Sequence, residues 1–520
     1  MPRAATSMAT ADPMQAAPAE PPRRPPNGRS RAITRLLGVA VVGLLALGVT
    51  HALQTARLEV VLSADPTGPP SVGDPGFLRT TAALAEVPLI GGNDVRVLSN
   101  GTETFAALLA DLSSAERSIT VQMYYGKPGV VSTSVFSILA ERARRGVLVR
   151  FMYDAVGTDR IPDRNRRELV EAGARVAAFR PFSWRNLARL GHRAHTRVVV
   201  VDGRVGYTGG FGLDDKWLGE GRRRGEWRET NVRFTGPAVA QLQAAFLEEW
   251  AEGTGELLIG SALLPPPAPA GDHVAGLLHS LPGTGPSPAE RVLALSIAGA
   301  RRTLYISNAY FLPNAGFRDL LAQAARRGVD VQVLTNGRET DNSLTQLAAR
   351  SRYGELLAAG VRVFEYQPTM MHAKTLVVDG TWSSIGSMNF DNRSLALNSE
   401  THFSSRTRAP ARSWTRCSAR TWKRPRRSSS NASAGDPGSS ASWSARRASW
   451  RRPCEGRPGG RPASLEPHLG GRRSVASSPA WSEIQISPAC PTGRFAGAMP
   501  NRRTSPSTSW RPRANPLAKM

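Results

Sequence analysis

The chain has 520 residues and a formal net charge of +26, which taken alone would favour a nucleic-acid or anionic-membrane partner. From Thr401 onward there are 23 Lys and Arg against 4 Asp and Glu, which leaves only +7 for positions 1–400. All three cysteines also lie after position 400, so disulfides and thiolate metal sites are excluded from the part of the chain before it.

The N-terminal region is predicted to be a disordered leader followed by an apolar helix. Residues 1–32 are basic and rich in proline, a composition that cannot build a core. The run from Leu36 to Leu53 contains no formally charged residue, and a cluster of arginines lies shortly before it. This length and flank favour a single transmembrane anchor over residues 33–54, with the N-terminus inside and the remainder outside. A signal peptide cleaved on export is the alternative.

Two similar halves are predicted to follow a linker over residues 55–92. The first half is residues 93–258 and the second is residues 275–400, and each is long enough to bury its own core. Prolines in residues 259–274 mark the linker between them.

Each half alternates apolar strand patterns with a helical pattern. The predicted strands are residues 118–124 and 147–153 in the first half and residues 303–307 and 329–334 in the second. The predicted intervening helices are residues 135–145 and 317–327. This alternation predicts the α/β class, with a mixed sheet flanked by helices in each half.

A motif of a histidine, a basic residue and an aspartate occurs once in each half. The first copy is His195, Arg197 and Asp202, and the second copy is His372, Lys374 and Asp379. Residues two apart on a strand share a face, so each copy places an imidazole beside a cation. Two copies with similar flanks, each followed by a turn glycine, indicate duplicated halves and a catalytic role.

These motifs resemble the HxKxxxxD signature of the phospholipase D superfamily, and their flanks are most similar to its bacterial cardiolipin synthase branch. The supporting stretches are residues 226–230, 306–313, 353–362 and 365–374, within a resemblance that covers residues 94–400. The resemblance implies two phospholipase D-like domains that share one cleft. It also implies a phosphohistidine intermediate and a reaction without a cofactor or metal ion.

The resemblance assigns roles within the two motifs. His195 is expected to be the nucleophile and His372 the acid that protonates the leaving alkoxide. Arg197 and Lys374 are expected to hold the phosphate oxygens, with a bidentate geometry open only to arginine. The two aspartates, Asp202 and Asp379, are expected to fix the motif geometry.

Supporting residues follow from their offsets to the motif histidines in the resembling family. In the second half, Ser387 and Asn389 are expected to contact phosphate, and Glu400 to hold a histidine tautomer. In the first half Gly210 takes the place of the serine, and Glu229 is the expected counterpart of Glu400. The first half therefore departs from the pattern, with an arginine for the lysine and glycine for the polar pair.

Residues 401–520 are predicted to be a disordered basic tail without a strand or helix period. Their possible codons, read one base out of register from His402, give a strand-like start and then an acidic segment with helical spacing. We therefore favour a frame shift near Glu400, which would leave the residues beyond it without an evolved role, over a genuine tail.

The sequence predicts a membrane-associated phosphatidyltransferase, similar to cardiolipin synthases, that acts on phospholipid phosphodiesters. A hydrolytic phospholipase D is the alternative, because only the choice of water or alcohol in the second step separates the two. A nuclease is less favoured, because the chain before Thr401 shows no aromatic and basic groove. A catalytically impaired pseudoenzyme would result if Arg197 or the altered C-terminus abolished turnover.

The expected partners are a phospholipid substrate and the membrane, with no nucleic acid and no obligate protein partner. The expected location is the cell membrane with the catalytic halves on the outer face, or outside the cell if the N-terminal segment is cleaved.

Overall fold

The computed structural model describes residues 28–55, 59–63, 66–158, 161–183, 191–283, 285–406 and 426–427. The predicted leader, except for its last residues, and most of the predicted tail lie outside the described residues. The helices within these ranges are α1 (Gly28–Thr55), α2 (Pro75–Ala85), α3 (Asn100–Ser113), α4 (Val130–Arg144), α5 (Asp163–Glu171), α6 (Val239–Thr254), α7 (Pro288–Ala298), α8 (Ala315–Arg326), α9 (Ser343–Ala358) and α10 (Asn392–Ala396).

The strands belong to one 16-stranded mixed sheet. They are β1 (Ile90–Ser99), β2 (Ser118–Met123), β3 (Leu148–Asp154), β4 (Arg175–Phe179), β5 (Arg193–Ala194), β6 (Val198–Val201), β7 (Val205–Gly209), β8 (Thr230–Thr235), β9 (His273–Ser280), β10 (Thr303–Asn308), β11 (Asp330–Asn336), β12 (Arg362–Tyr366), β13 (Lys374–Val378), β14 (Trp382–Gly386), β15 (Asn398–Arg406) and β16 (Arg426–Arg427).

The sheet consists of two copies of one strand order. The first half runs β4-β3-β2-β6-β7-β8-β1, and the second runs β12-β11-β10-β13-β14-β15-β9. In each copy the first three strands are parallel and the next pairings are antiparallel. The copies join where β1 pairs with β9, so the predicted duplication of an α/β unit is confirmed.

The strands that carry the motifs are central in the sheet and almost entirely buried. The four valines of β6 are all buried, as are all six residues of β2 beside it. A continuous apolar run of this kind is typical of a strand that has helices or other strands over both faces. The motif residues within and beside β6 and β13 are therefore held by buried central strands of the sheet.

One hydrophobic core is shared by the two halves. It combines β6, β8 and α6 of the first half with β9, β13 and β15 of the second. At its centre the rings of Phe234 and Phe403 lie 4.3 Å apart. This shared core fixes the two halves against each other, which a cleft between them requires.

The segment predicted as a linker over residues 55–92 contains α2 and the start of β1. Phe77 of α2 is fully buried and meets the ring of Trp382 edge to face at 5.1 Å. Burial of one such side chain contributes about 2 kcal/mol. Residues 75–92 therefore belong to the folded body, chiefly to the core of the second half.

The C-terminal boundary predicted at Glu400 falls inside β15. This strand continues to Arg406, pairs with both β9 and β14, and buries Phe403 in the shared core. Residues 401–406 are thus part of the fold, contrary to the expectation of a tail that starts at residue 401. Residues 401–406 remain in the sheet because they pair with β14 on one side and with β9 on the other.

The segment predicted as an anchor forms helix α1, which begins at Gly28 and ends at Thr55. None of the helices in the described part of the chain combines the length and the apolar composition that a membrane span requires. The predicted span over residues 33–54 is therefore not confirmed.

Candidate active site

A cleft of about 680 Å³ opens between the two halves, next to both motif histidines. Its walls come from loops at the ends of the central strands. The residues that line it are Tyr124, Tyr125, Val156, Gly157, His195, Arg197, Lys216, Trp217 and Trp227 of the first half, and Tyr310, Leu312, Asp341, Asn342, Thr345, His372, Asn389, Asp391, Asn392, Arg393, Ser394 and Asn398 of the second.

Each motif histidine is paired with a glutamate from the opposite half. Nδ1 of His195 lies 3.0 Å from both carboxylate oxygens of Glu400. Nδ1 of His372 lies 2.7 Å from Oε2 of Glu229. With Nδ1–H donated to a carboxylate, Nε2 of His195 is left to face a substrate, whereas Nε2 of His372 lies 2.8 Å from Nζ of Lys374. The crossed pairs make a single site out of two duplicated motifs.

Backbone pairing between the halves sets up these crossed contacts. The short strand β5, which precedes the first motif, pairs in parallel with the start of β15, just before Glu400. In the other direction, Arg228 forms a parallel bridge with Met371. The amide of His372 then donates to the carbonyl of Arg228 over 2.7 Å. Each carboxylate is therefore held by a segment whose backbone pairs beside the histidine that the carboxylate contacts.

The register of the sheet shows that the two glutamates are equivalent. Gly209 and Gly386 stand at the same offset from the motif histidine of their own half. Gly209 pairs with Asn231, and Gly386 pairs with His402. Each glutamate lies two positions before the paired residue in its half. The equivalence predicted from the sequence therefore corresponds to a real repeat of strand register.

The two carboxylates have different hydrogen-bond donors. Oε2 of Glu400 accepts the hydroxyl of Ser387 over 2.5 Å, and Oε1 accepts the side-chain amide of Asn398 over 3.2 Å. Ser387 therefore supports a carboxylate and does not line the cleft as the expected phosphate contact. Asn389 does line the cleft, and its buried Oδ1 has no hydrogen-bond partner among the described residues.

Glu229 is held without a hydroxyl. Oε2 accepts the indole N–H of Trp217 over 3.3 Å, and Oε1 accepts the amide of Thr230 over 3.0 Å. A Cβ atom at Gly210 would lie only 2.4 Å from Oε2 of Glu229. The glycine is therefore required by the close approach of the carboxylate, and it explains why the first half lacks the serine.

Both motif cations are buried, and Arg197 lines the cleft whereas Lys374 does not. Nζ of Lys374 lies 2.8 Å from each ring nitrogen of His372 and donates to the carbonyl of that residue over 2.6 Å. Arg197 donates from Nε to the carbonyl of Phe211 over 3.3 Å and from a terminal nitrogen to the carbonyl of His195. Both cations are thus preorganised, as electrostatic stabilisation of a phosphoryl group requires.

Burial and these cations favour neutral imidazoles in the free site. Burial, reinforced by Arg197 and Lys374, holds the pKa of His195 well below its usual range. The pKa of His372 is lowered for the same reasons. Burial also raises the pKa of Glu400 to about 7 and lowers that of Lys374 to about 7. A neutral imidazole is the form that can act as a nucleophile.

The two motif aspartates do not reach the cleft. Seven positions of extended chain separate each from its histidine, a distance of roughly 20 Å. The carboxylate of Asp202 accepts the amides of residues 116–118 over 2.7 to 3.3 Å, and that of Asp379 accepts the amides of residues 301–303 over 2.7 to 3.0 Å. Both aspartates therefore stabilise the loop that precedes a neighbouring strand. Their own backbones are left-handed, with φ of 53° for Asp202 and 50° for Asp379.

Four further residues support the site and were not predicted from the sequence: Trp217, Asn231, Asn398 and His402. Asn231 accepts the amides of Gly210 and Phe211, and Nε2 of His402 accepts the amide of Met388 over 3.1 Å. Asn231 and His402 occupy equivalent positions in the two halves, but this equivalence becomes visible only when the strand pairing of β8 and β15 is known.

Within the described ranges, no group of three or more His, Cys, Asp or Glu side chains is arranged to hold a metal ion.

Sequence comparisons point to one family. A family model described as "Cardiolipin synthase, PLD-like domain" matches residues 108–250 and 293–422, slightly more than half of the chain. The chain is 35% identical over 329 residues to cardiolipin synthase of Geobacillus kaustophilus, which covers 62% of this chain and 65% of that protein. It is 35% identical over 327 residues to cardiolipin synthase 2 of Bacillus cereus, covering 62% and 63%. The chain thus spans less than two thirds of the length of these relatives.

A solved structure supports the fold. The crystal structure of phosphatidylserine synthase from Haemophilus influenzae Rd KW20 superposes with a TM-score of 0.50 and 11% sequence identity. The superposition covers 68% of this chain and 91% of that one.

Proposed function

Because the chain belongs to the phospholipase D-like family of the cardiolipin synthase type, we propose that it is a membrane-associated phosphatidyltransferase. Its substrates are phospholipid phosphodiesters, and its product is a lipid in which two phosphatidyl groups share one glycerol. The observation that carries the proposal is the pair of crossed histidine–glutamate contacts in one cleft.

The first step transfers the phosphatidyl group to the enzyme. Nε2 of His195 attacks phosphorus, an N–P bond forms, and the P–O bond to the headgroup breaks. The leaving alkoxide takes a proton from His372, which must be charged at that moment. A bound phosphodiester adds a negative charge between Arg197 and Lys374, which offsets the cations that depress the pKa of His372.

The second step reverses these roles. A hydroxyl of the acceptor lipid loses its proton to His372 and attacks phosphorus, and the N–P bond to His195 breaks. With phosphatidylglycerol as donor and acceptor, two molecules yield one cardiolipin and one glycerol. Water in place of the acceptor would yield phosphatidic acid, which is the hydrolytic alternative.

Exposed apolar side chains beside the cleft support the proposal that the enzyme acts on lipids in a membrane surface. Val156 lines the cleft and is 59% exposed. Leu344 and Leu347 begin α9 on either side of Thr345, another lining residue, and are 79% and 68% exposed. Exposed apolar side chains beside the cleft favour contact with a membrane surface through burial of apolar area. An anchor in residues 33–54, which would place the cleft on the outer face, stays a prediction from the arginine flank.

The test is to incubate the full chain with phosphatidylglycerol vesicles and to separate the lipid products by mass. Cardiolipin with an equal amount of glycerol is the expected result. Phosphatidic acid as the main product would replace the transferase with the hydrolase, and the absence of both would refute the proposal. Leu344→Ser combined with Leu347→Ser should lower vesicle sedimentation, and should lower turnover on vesicles more than turnover of a soluble short-chain phosphodiester.

A further inference from the structure

A third cation stands in the wall of the cleft, outside both motifs. Nζ of Lys216 lies 3.6 Å from the ring centroid of Trp227, 3.7 Å from that of Tyr125 and 4.4 Å from that of Trp217. Three ring faces hold the ammonium by cation–π attraction and restrict its position. All four side chains line the cleft.

The charge of Lys216 is not neutralised by an ion pair within the described part of the chain. The two carboxylates that act on it at longer range are engaged elsewhere. Asp214 pairs with Lys127 over 3.8 Å, and Asp341 accepts the hydroxyl of Tyr310 over 2.7 Å. The ammonium is therefore available to an anion that enters the cleft.

The backbone of Lys216 is fixed from both sides. Its amide donates to the side chain of Asp214 over 3.0 Å, and its carbonyl accepts the amide of Trp227 over 2.5 Å. The residue also belongs to a 3-10 turn, Asp215–Trp217, whose tryptophan is buried. A ligand that meets Lys216 thus meets a preorganised cation, which lowers the entropic cost of binding.

The rings of Tyr125, Trp217 and Trp227 form an aromatic cage around Lys216 that lies on the side of His372, the proposed acid. The ring of His372 lies 5.1 Å from that of Trp227 and 5.6 Å from that of Trp217, so two of the three cage rings also contact the imidazole. In the proposed reaction, the alcohol that leaves and the alcohol that enters both lie next to His372. Lys216 therefore faces the part of the acceptor that lies beyond its reacting hydroxyl.

The duplicated half has a cation at the same place but no cage. Lys216 and Arg393 stand at the same offset from the motif histidine of their own half. Each comes two positions after a capping aspartate, Asp214 or Asp391. Arg393 is exposed and has no ring stacked on it among the described residues. The cage was therefore built on one side of the cleft only.

We propose that Lys216 binds the phosphate that the acceptor phospholipid already carries, and so selects a phosphate-bearing acceptor. This role rests on the proposed transferase function. A phosphatidylglycerol acceptor carries its own phosphate one glycerol away from the attacking hydroxyl. In the proposed reaction Arg197 and Lys374 hold the oxygens of the reacting phosphate, so the second phosphate needs another cation on the side of His372. Burial lowers the pKa of Lys216 to about 7, and a bound phosphate favours its charged form.

The test lets two acceptors compete for one intermediate. Vesicles of phosphatidylglycerol are incubated with isotopically labelled glycerol, and cardiolipin and labelled phosphatidylglycerol are measured together. Both products arise from the same phosphohistidine, so changes in the first step cancel in their ratio. Lys216→Met should lower the ratio of cardiolipin to labelled phosphatidylglycerol at least tenfold, and Lys216→Arg should restore most of it.

The matched control is Lys127→Met, which removes a nearby cation that does not line the cleft. This variant should keep the wild-type ratio. An unchanged ratio in Lys216→Met, or an equal fall in Lys127→Met, overturns the role of Lys216 alone. A wild-type chain that forms neither product overturns the proposed function, and this inference with it.

Discussion

The two halves share one strand order, yet they support their carboxylates by different means. In the second half, a serine and an asparagine donate to Glu400. In the first, an indole and a backbone amide donate to Glu229, and a glycine leaves room for it. The duplication kept the geometry at the level of strand register, while the chemistry around each histidine diverged. In the proposed reaction one histidine attacks and the other exchanges protons, so such divergence is expected.

The largest expected effect is the loss of lipid transfer when either motif histidine is replaced, and the choice of substrate distinguishes the roles of the two. His195→Ala and His372→Ala should each lower lipid transfer by about a thousandfold or more, because a poor leaving group requires both a nucleophile and an acid. A phosphodiester with a p-nitrophenyl leaving group does not need the acid. With that substrate, His372→Ala should still form a phosphohistidine that mass spectrometry detects, and His195→Ala should not.

A phosphohistidine at His372 in the His195→Ala variant would reverse the assignment of the two roles. Circular dichroism of both variants should match the wild type. Retained lipid turnover in either folded variant would contradict the two-histidine mechanism.

An intermediate effect should follow from exchange of the small residues between halves. Gly210→Ser places Cβ against Oε2 of Glu229 and should displace the carboxylate from His372, with a fall in kcat of about a hundredfold. Ser387→Gly removes one donor from Glu400, which keeps the amide of Asn398, so a fall of about tenfold is expected. Steady-state kinetics on vesicles would measure both, and equal losses would show that the asymmetry is without consequence.

A further comparison concerns stability and the residues that hold the two loops. Burial lowers the pKa of His402 to about 4, whereas its counterpart in the first half, Asn231, does not titrate. An unfolded histidine titrates near 6.5, so the stability that His402 contributes is complete above that pH and is lost as the pH falls toward 4. The loss is on the order of 3 kcal/mol.

His402→Gln keeps an acceptor for the amide of Met388 and removes this titration. Between pH 7 and pH 4, the free energy of unfolding of the variant should therefore fall less steeply than that of the wild type. Urea denaturation at several pH values would measure the difference. Parallel curves for the two proteins would show that the titration of His402 does not matter.

Much of the fold could be predicted because its cause is local. The apolar runs of β2, β3, β10 and β11 and the helices between them follow from period and composition. The two motifs also predicted the duplication, because a repeated spacing of histidine and cation is visible without any partner. The predictions were wrong where contacts with distant residues determine the structure. Helix α2 lies in the segment predicted as a linker, and residues 401–406 belong to a strand although a tail was predicted there.

The candidate site was decided in a similar way. The amino-acid sequence by itself predicted the side chains proposed for phosphoryl chemistry, since His195 and His372 stand at fixed positions before buried strands. Only the tertiary structure decided that each histidine takes its carboxylate from the other half. His195 and Glu400 are 205 positions apart in the chain, and the pairing of β5 with β15 brings them together. The cage around Lys216 depends equally on long-range contact, because Tyr125 and Trp227 reach the lysine from separate loops. Sequence spacing specifies what lies within a strand or helix, whereas packing alone specifies which distant groups share a desolvated cleft.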